Sequence, residues 1–107
     1  MHYTYVLYSE SDRERYTGAT SDLKARVREH AEGRVRSTAP RRPLVLAYYE
    51  ACLNREDAFR REGYLKTGRG KRYLKQRLGQ WRVSFCREKL ERHQAARNVV
   101  VKVYFHA

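Results

Sequence analysis

The sequence predicts an α/β (α+β) domain built around one small sheet, and three observations lead there. Runs rich in β-branched and aromatic residues at 3–9, 16–18 and 44–50 alternate with stretches of helical periodicity. Their order is strand, strand, helix, strand, helix, helix, which packs helices against a sheet. A chain of 107 residues has room for one modest core and not for two. Charged residues make up 34% and aromatics 12%, nine of them Tyr, which suits a small folded protein with a large solvated surface.

Residues 3–9 (YTYVLYS) form the first strand, and the polar ESDRE stretch turns the chain into a second short run at Tyr16-Thr17-Gly18. The two read as a β-hairpin, with Gly18 where the chain bends or is closely approached. Thr20 or Ser21 can cap a helix that runs to about Glu32 and ends at Gly33. Segment 34–43 is a loop broken by Pro40 and Pro43, and residues 44–50 (LVLAYYE) read as a buried central strand. Asn54, with Asp57 three residues on, caps a second helix reaching about Lys66. Gly68 and Gly70 interrupt it, and KRYLKQRL from Lys71 is a further short helix. Beyond it, 84–97 are polar and 99–105 (VVVKVYF) are a bare β-forming run. We therefore expect a unit over 1–83 and a C-terminal extension, 84–107, packed on the same domain.

The net charge of +12 favours a polyanionic partner, since Lys and Arg that neutralise phosphates release condensed counterions. No apolar stretch approaches the ~20 residues of a transmembrane helix, and no signal peptide is evident, so no membrane role is expected. Cys52 and Cys86 lack the spacing of a zinc site and read as free thiols in a reducing, cytoplasmic setting.

Two helices break their own patterns. Leu23, Arg26, Val27 and His30 share one stripe of the first helix, yet Arg26 and His30 do not belong on a core face. On the second, Glu62 interrupts the stripe of Ala58, Phe59, Leu65 and Lys66. A charge there is costly unless paired or metal-bound, and such breaks in consistent helices mark sites. Edge residues extending into solvent are the ordinary alternative. Tyr3 and Tyr5 share a face of the first strand, and Tyr16 lies across the hairpin, close to Tyr5 if the register allows. With a pKa of ~10, tyrosine is a poor base unless cations lower it. Stacked core tyrosines are the alternative reading.

Together these residues resemble the GIY-YIG endonuclease family in its small bacterial single-domain form. Tyr3-Thr4-Tyr5 resembles the GIY element, with Tyr and Thr replacing its Gly and Ile, and Tyr16-Thr17-Gly18 resembles the YIG element. Arg26 and His30 follow as in the family's first helix, and Arg41, Pro43 and Leu44 as in its loop-to-strand segment. Glu62 falls within AFRREGYLK, where the family keeps its metal-binding glutamate. The resemblance covers about residues 3–78. It implies a three-stranded antiparallel sheet flanked by helices, and one Mg²⁺ (or Mn²⁺) held by Glu62. It implies that Arg26 holds the scissile phosphate. Tyr5 or Tyr16 would activate water with help from His30; Tyr5 is taken first, with Tyr16 as its partner. The implied activity is metal-dependent hydrolysis of DNA phosphodiester bonds, with single-stranded, duplex and branched DNA all left open.

From Ala58 to Arg87 there are ten basic residues, among them Arg61, Lys66, Arg69, Lys71 and Arg72, and one acid, Glu62. Solvated helix faces normally mix signs, so phosphate binding accounts better for this run. Loop residues Arg34, Arg36, Arg41 and Arg42 are candidates for a second wall of the groove. Rival readings are a catalytically inactive nucleic-acid-binding module on the same scaffold, and a binder of membrane surfaces or acidic partners. The 99–105 run would be an exposed aggregation hazard. It is expected to join a sheet edge, either its own as a fourth strand or a second subunit's in an oligomer.

Overall fold

The computed structural model describes residues 1–79 and 104–106. The expectations about the polar stretch 84–97, Cys86, Arg87 and residues 99–103 lie outside the described residues. Strands β1 (His2–Ser9), β2 (Arg15–Thr20) and β3 (Leu44–Cys52) form the expected antiparallel sheet, and β4 (Tyr104–His106) adds to it in parallel. The order is β2-β1-β3-β4, so the C-terminal strand lies along the chain's own sheet. Helices α1 (Leu23–Ala31), α2 (Arg55–Leu65) and α3 (68–79) flank it. Among the described residues, no helix is long and apolar enough to cross a membrane.

Alternation along β1 sends its side chains to two different layers. Val6 and Tyr8 face a core completed by Ala47, Tyr48, Leu65, Leu74 and Leu78, that is, by β3, α2 and α3. A bulge assists here. Val6 pairs with Tyr48 and Leu7 with Leu46, so Ala47 is an extra residue, and both Ala47 and Tyr48 are buried in that core. Tyr3, Tyr5 and Leu7 face the other way. Register places Tyr5 opposite Gly18 and Tyr49, and Leu7 opposite Tyr16, so these residues share one face of the sheet.

Local hydrogen bonds fix the helices. Asp22, rather than Thr20 or Ser21, caps α1: its carboxylate accepts from the Ala25 amide at 3.1 Å. Thr20 instead braces the cap, its hydroxyl accepting the Asp22 amide at 3.1 Å. Gly33 then takes the left-handed conformation, φ +79°, that ends the helix. Asn54 caps α2 as expected, accepting from Asp57 at 3.0 Å. The buried Thr4 hydroxyl donates to the Ala58 carbonyl at 2.9 Å and sets α2 down on the sheet.

The glycine pair does not delay α3, which already includes Gly68 and Gly70. Thr67 caps it by accepting from the Gly70 amide at 3.2 Å, and only Lys66 and Thr67 separate it from α2. So short a turn presses Gly70 against α2, where a Cβ would collide with the Tyr64 carbonyl and the Leu65 backbone. Gly63 has nothing within 4 Å of its missing Cβ. Gly70→Ala should therefore destabilise the fold by about 1–3 kcal/mol. In contrast Gly63→Ala should be neutral or gain up to about 1 kcal/mol from helix propensity. Urea denaturation of the two variants checks the contrast; equal midpoints would contradict the close approach at Gly70.

Candidate functional site

The Tyr5 ring lies over Gly18. A Cβ on that glycine would sit 2.5 Å from the Tyr5 hydroxyl, so only glycine leaves room for the ring. In this position the hydroxyl meets His30 Nε2 at 2.9 Å. Tyr16 packs against both, with ring centroids 6.5 Å from Tyr5 and 5.1 Å from His30. The two tyrosines are diagonal neighbours across the hairpin, as alternation on paired strands requires.

His30 is fully buried, and its second ring nitrogen, Nδ1, meets the Thr38 hydroxyl at 2.7 Å. Thr38 is also fully buried and donates to the Val35 carbonyl at 3.4 Å, so it accepts the Nδ1 proton. That leaves Nε2 bare, an acceptor for the Tyr5 proton. Arg26 also hydrogen-bonds the Tyr5 hydroxyl, and arginine can only donate, which is consistent with Tyr5 giving its proton to His30. A directed chain runs from Tyr5 through His30 and Thr38 to Val35.

Charges around this chain oppose one another. Burial raises the Tyr5 pKa, and the Arg26 hydrogen bond that lowers it does not win. Tyr5 is thus a phenol at neutral pH. Burial, aided by the Arg26 charge, pushes His30 down to about 4, so the imidazole is neutral and accepts a hydrogen bond at Nε2. Arg26 itself bridges Tyr5 and Glu29, whose carboxylate lies 2.9 Å from Nη1. The i,i+3 spacing of Arg26 and Glu29 is legible in the sequence, although their pairing was not among its expectations. Thr38 was missed outright. A threonine in a loop carries no signal of the histidine above it.

Glu62 lies near enough for its charge to raise the Tyr5 pKa. Its carboxylate is 22% exposed and pairs with Lys66 at 3.0 Å. Among the described residues no group of three or more His, Cys, Asp or Glu could cage a metal. A lone, partly exposed carboxylate fits a hard divalent cation that keeps most of its own water, as Mg²⁺ does. The residues therefore fit such an ion, with Glu62 as its protein ligand.

The basic residues divide into two groups. The Arg41 Nε donates to Asp12 at 2.6 Å, and the Arg61 fork grips Glu50 at 2.9–3.0 Å while stacking on Tyr64 and Tyr73. Both are bound to carboxylates of their own chain, 29 and 11 residues away, a pairing no local reading reveals. Arg34 pairs with Glu32 at the surface, and Arg42 donates to the Ala39 carbonyl while its guanidinium covers Gly33. Arg36, Arg69, Lys71 and Arg72 are exposed.

Two tests follow from the buried chain. Free histidine titrates near 6.5, so between about pH 6.5 and 4 the unfolded state binds a proton that folded His30 refuses. Stability should fall by up to about 3 kcal/mol as pH drops through that window. Asp12, held down to about 2 by Arg41, adds a loss only below its ordinary range near 3.8. Urea midpoints across pH should show the slope, and His30→Gln should flatten it. Thr38→Val strands the Nδ1 proton and should cost about 1–3 kcal/mol, whereas Thr38→Ser should cost much less. Ring ¹⁵N shifts of His30 should report the Nδ1–H tautomer in wild type; the Nε2–H tautomer would reverse the assigned direction.

The family model for the GIY-YIG catalytic domain matches residues 1–75. A UPF0213 protein of Staphylococcus haemolyticus is 39% identical, over 62% of this chain and 80% of its own length. One of Pediococcus acidilactici is 40% identical over 68% and 76%, and one of Haloquadratum walsbyi 39% over 62% and 74%. No solved structure matches the chain. The chain belongs to the GIY-YIG nuclease family, among its small UPF0213 members.

Proposed function

We propose that this protein is a divalent-metal-dependent endonuclease that hydrolyses DNA phosphodiester bonds. The observation that carries the reading is the hydrogen bond of Tyr5 to a neutral, buried His30, made beside Arg26. Tyr5 directs its phenolic proton onto His30 Nε2 and turns its oxygen lone pairs to the attacking water, which it activates together with the hydration shell of the cation. Thr38 holds the imidazole in the tautomer that accepts this hydrogen bond. Arg26 presents a planar fork suited to two oxygens of the scissile phosphate. Tyr16 packs on Tyr5 and His30 and keeps both rings in place. A divalent cation bound at Glu62 would neutralise charge on the phosphate and on the leaving 3′-oxygen. This reading assigns the chemistry to residues 1–83 and gives 84–107 no catalytic part.

Labelled DNA incubated with and without Mg²⁺ tests the proposal. Glu62→Gln, Tyr5→Phe and Arg26→Ala should each slow turnover about 10²–10⁴-fold, with His30→Ala losing rather less. The melting temperature and DNA affinity of Glu62→Gln should change little by comparison. Undiminished cleavage by Glu62→Gln, or in excess chelator, would refute the metal role. Binding without cleavage by wild type under every metal would leave only a nucleic-acid-binding module.

A further inference from the structure

A cavity of about 430 Å³ lies between the end of the hairpin and the start of α2, bordered by His2, Ala19, Thr20, Ser21, Arg55 and Phe59. A second depression, of about 280 Å³, borders the same Ala19 and Thr20 but reaches Arg26 and Glu29. The two share a wall, and that wall is the stretch of β2 just after Gly18. Along α2, Arg55, Phe59 and Glu62 recur at i, i+4 and i+7, one stripe of the helix. The cavity thus adjoins the Arg26 depression, and its Phe59 wall lies on the same stripe of α2 as Glu62.

Phe59 has no place in the core cluster. Its ring is 49% exposed, and the Arg55 guanidinium stands 5.3 Å from its centroid. Around this pair are the hydroxyls of Thr20 and Ser21 and the His2 ring. An exposed aromatic ring beside a guanidinium and a hydroxyl such as that of Ser21 is a combination by which proteins hold single strands: bases stack on the ring or guanidinium while polar groups track the phosphates.

We infer that this cavity binds an unpaired nucleotide adjoining the scissile phosphate, its base stacked on the Phe59–Arg55 pair. The inference rests on the DNA reading above and adds a substrate class to it. A base inside a duplex has both faces covered and must be extruded before it can stack elsewhere. The strand held here is therefore single, at a frayed end or in an unpaired segment.

The test is binding of the full chain, with chelator present to prevent cleavage, to three labelled probes: a short oligothymidylate, an abasic strand of equal length, and a blunt hairpin closed by a non-nucleotide linker. Wild type should prefer oligothymidylate to the abasic strand. Phe59→Ala should weaken oligothymidylate binding about tenfold, the value of roughly one stacked base, and erase that preference. Binding of Phe59→Leu should match that of Phe59→Ala, since it keeps bulk but has no π-face, and Phe59→Trp should bind like wild type. Hairpin binding should be the same in all four proteins. Equal affinity of wild type and Phe59→Ala for oligothymidylate, or equal losses on hairpin and single strand, would overturn the subsite while leaving a nuclease. Failure of wild type to bind any of the probes would overturn the DNA reading itself, and the subsite with it.

Discussion

The hydrogen-bonded chain from Tyr5 through His30 to Thr38 is the constraint around which this side of the molecule is arranged. All three side chains are buried, and an unsatisfied polar group among them would cost the fold directly. Each member comes from a different piece of the chain. Tyr5 needs the gap at Gly18, His30 needs α1, and Thr38 needs the 34–43 loop to pass beneath α1. The hairpin tip secures that loop. Ser9 donates to the Arg41 carbonyl at 2.6 Å, the Glu10 amide donates to the Pro43 carbonyl at 2.9 Å, and Arg41 grips Asp12. Contacts far from any chemistry thus hold the threonine that orients the histidine.

The same burial sets the two titrating groups apart. Tyr5 is raised and His30 lowered, so at neutral pH the phenol keeps its proton and the imidazole is neutral, its one proton on Nδ1. Environments that separate two pKa values in this way assign the donor and acceptor before any substrate arrives. Arg26 acts on both partners, lowering Tyr5 by its hydrogen bond and lowering His30 by its charge. Anything that draws the Arg26 guanidinium onto a phosphate loosens its hold on Tyr5 and changes the balance of the pair. Glu29 is the partner that holds the guanidinium in the structure.

The sequence made most of the fold and much of the cluster legible, for reasons that residue patterns carry. Two helical stripes expose Arg26, His30 and Glu62 because each breaks a rule its neighbours obey, and strand alternation puts Tyr5 on one face with Tyr3. Gly18 is readable as a close approach, although not what approaches it. Contacts between residues distant in sequence were hidden. Thr38 lies under His30, Asp12 holds Arg41, and Glu50 holds Arg61, none of them within a turn of helix or a strand pair of the residue it serves. Two errors were local instead. Thr20, Ser21 and Asp22 are all competent caps, and only the turn geometry selects Asp22. Gly68 and Gly70 look like breakers, but Gly70 is there because α3 presses against α2.

Charge shows the same division between what composition reveals and what geometry reveals. A net charge of +12 says only that the molecule attracts polyanions. Ion pairing then sorts the cations by task. Arg61, half-buried on Glu50 and stacked between two tyrosines, is fixed in the fold and can lend little to a ligand. Arg69, Lys71 and Arg72 stand exposed on α3, with no carboxylate partner among the described residues, and contribute a field rather than a geometry. Arg26 and Lys66 lie between these extremes, each on a carboxylate that belongs to the site, Glu29 and Glu62. Pairs this exposed are worth little by themselves, so the phosphate and dication proposed for Arg26 and Glu62 would break them at small cost. The resting pairs keep the site nearly neutral, and the charges become available where a more highly charged ligand competes for them.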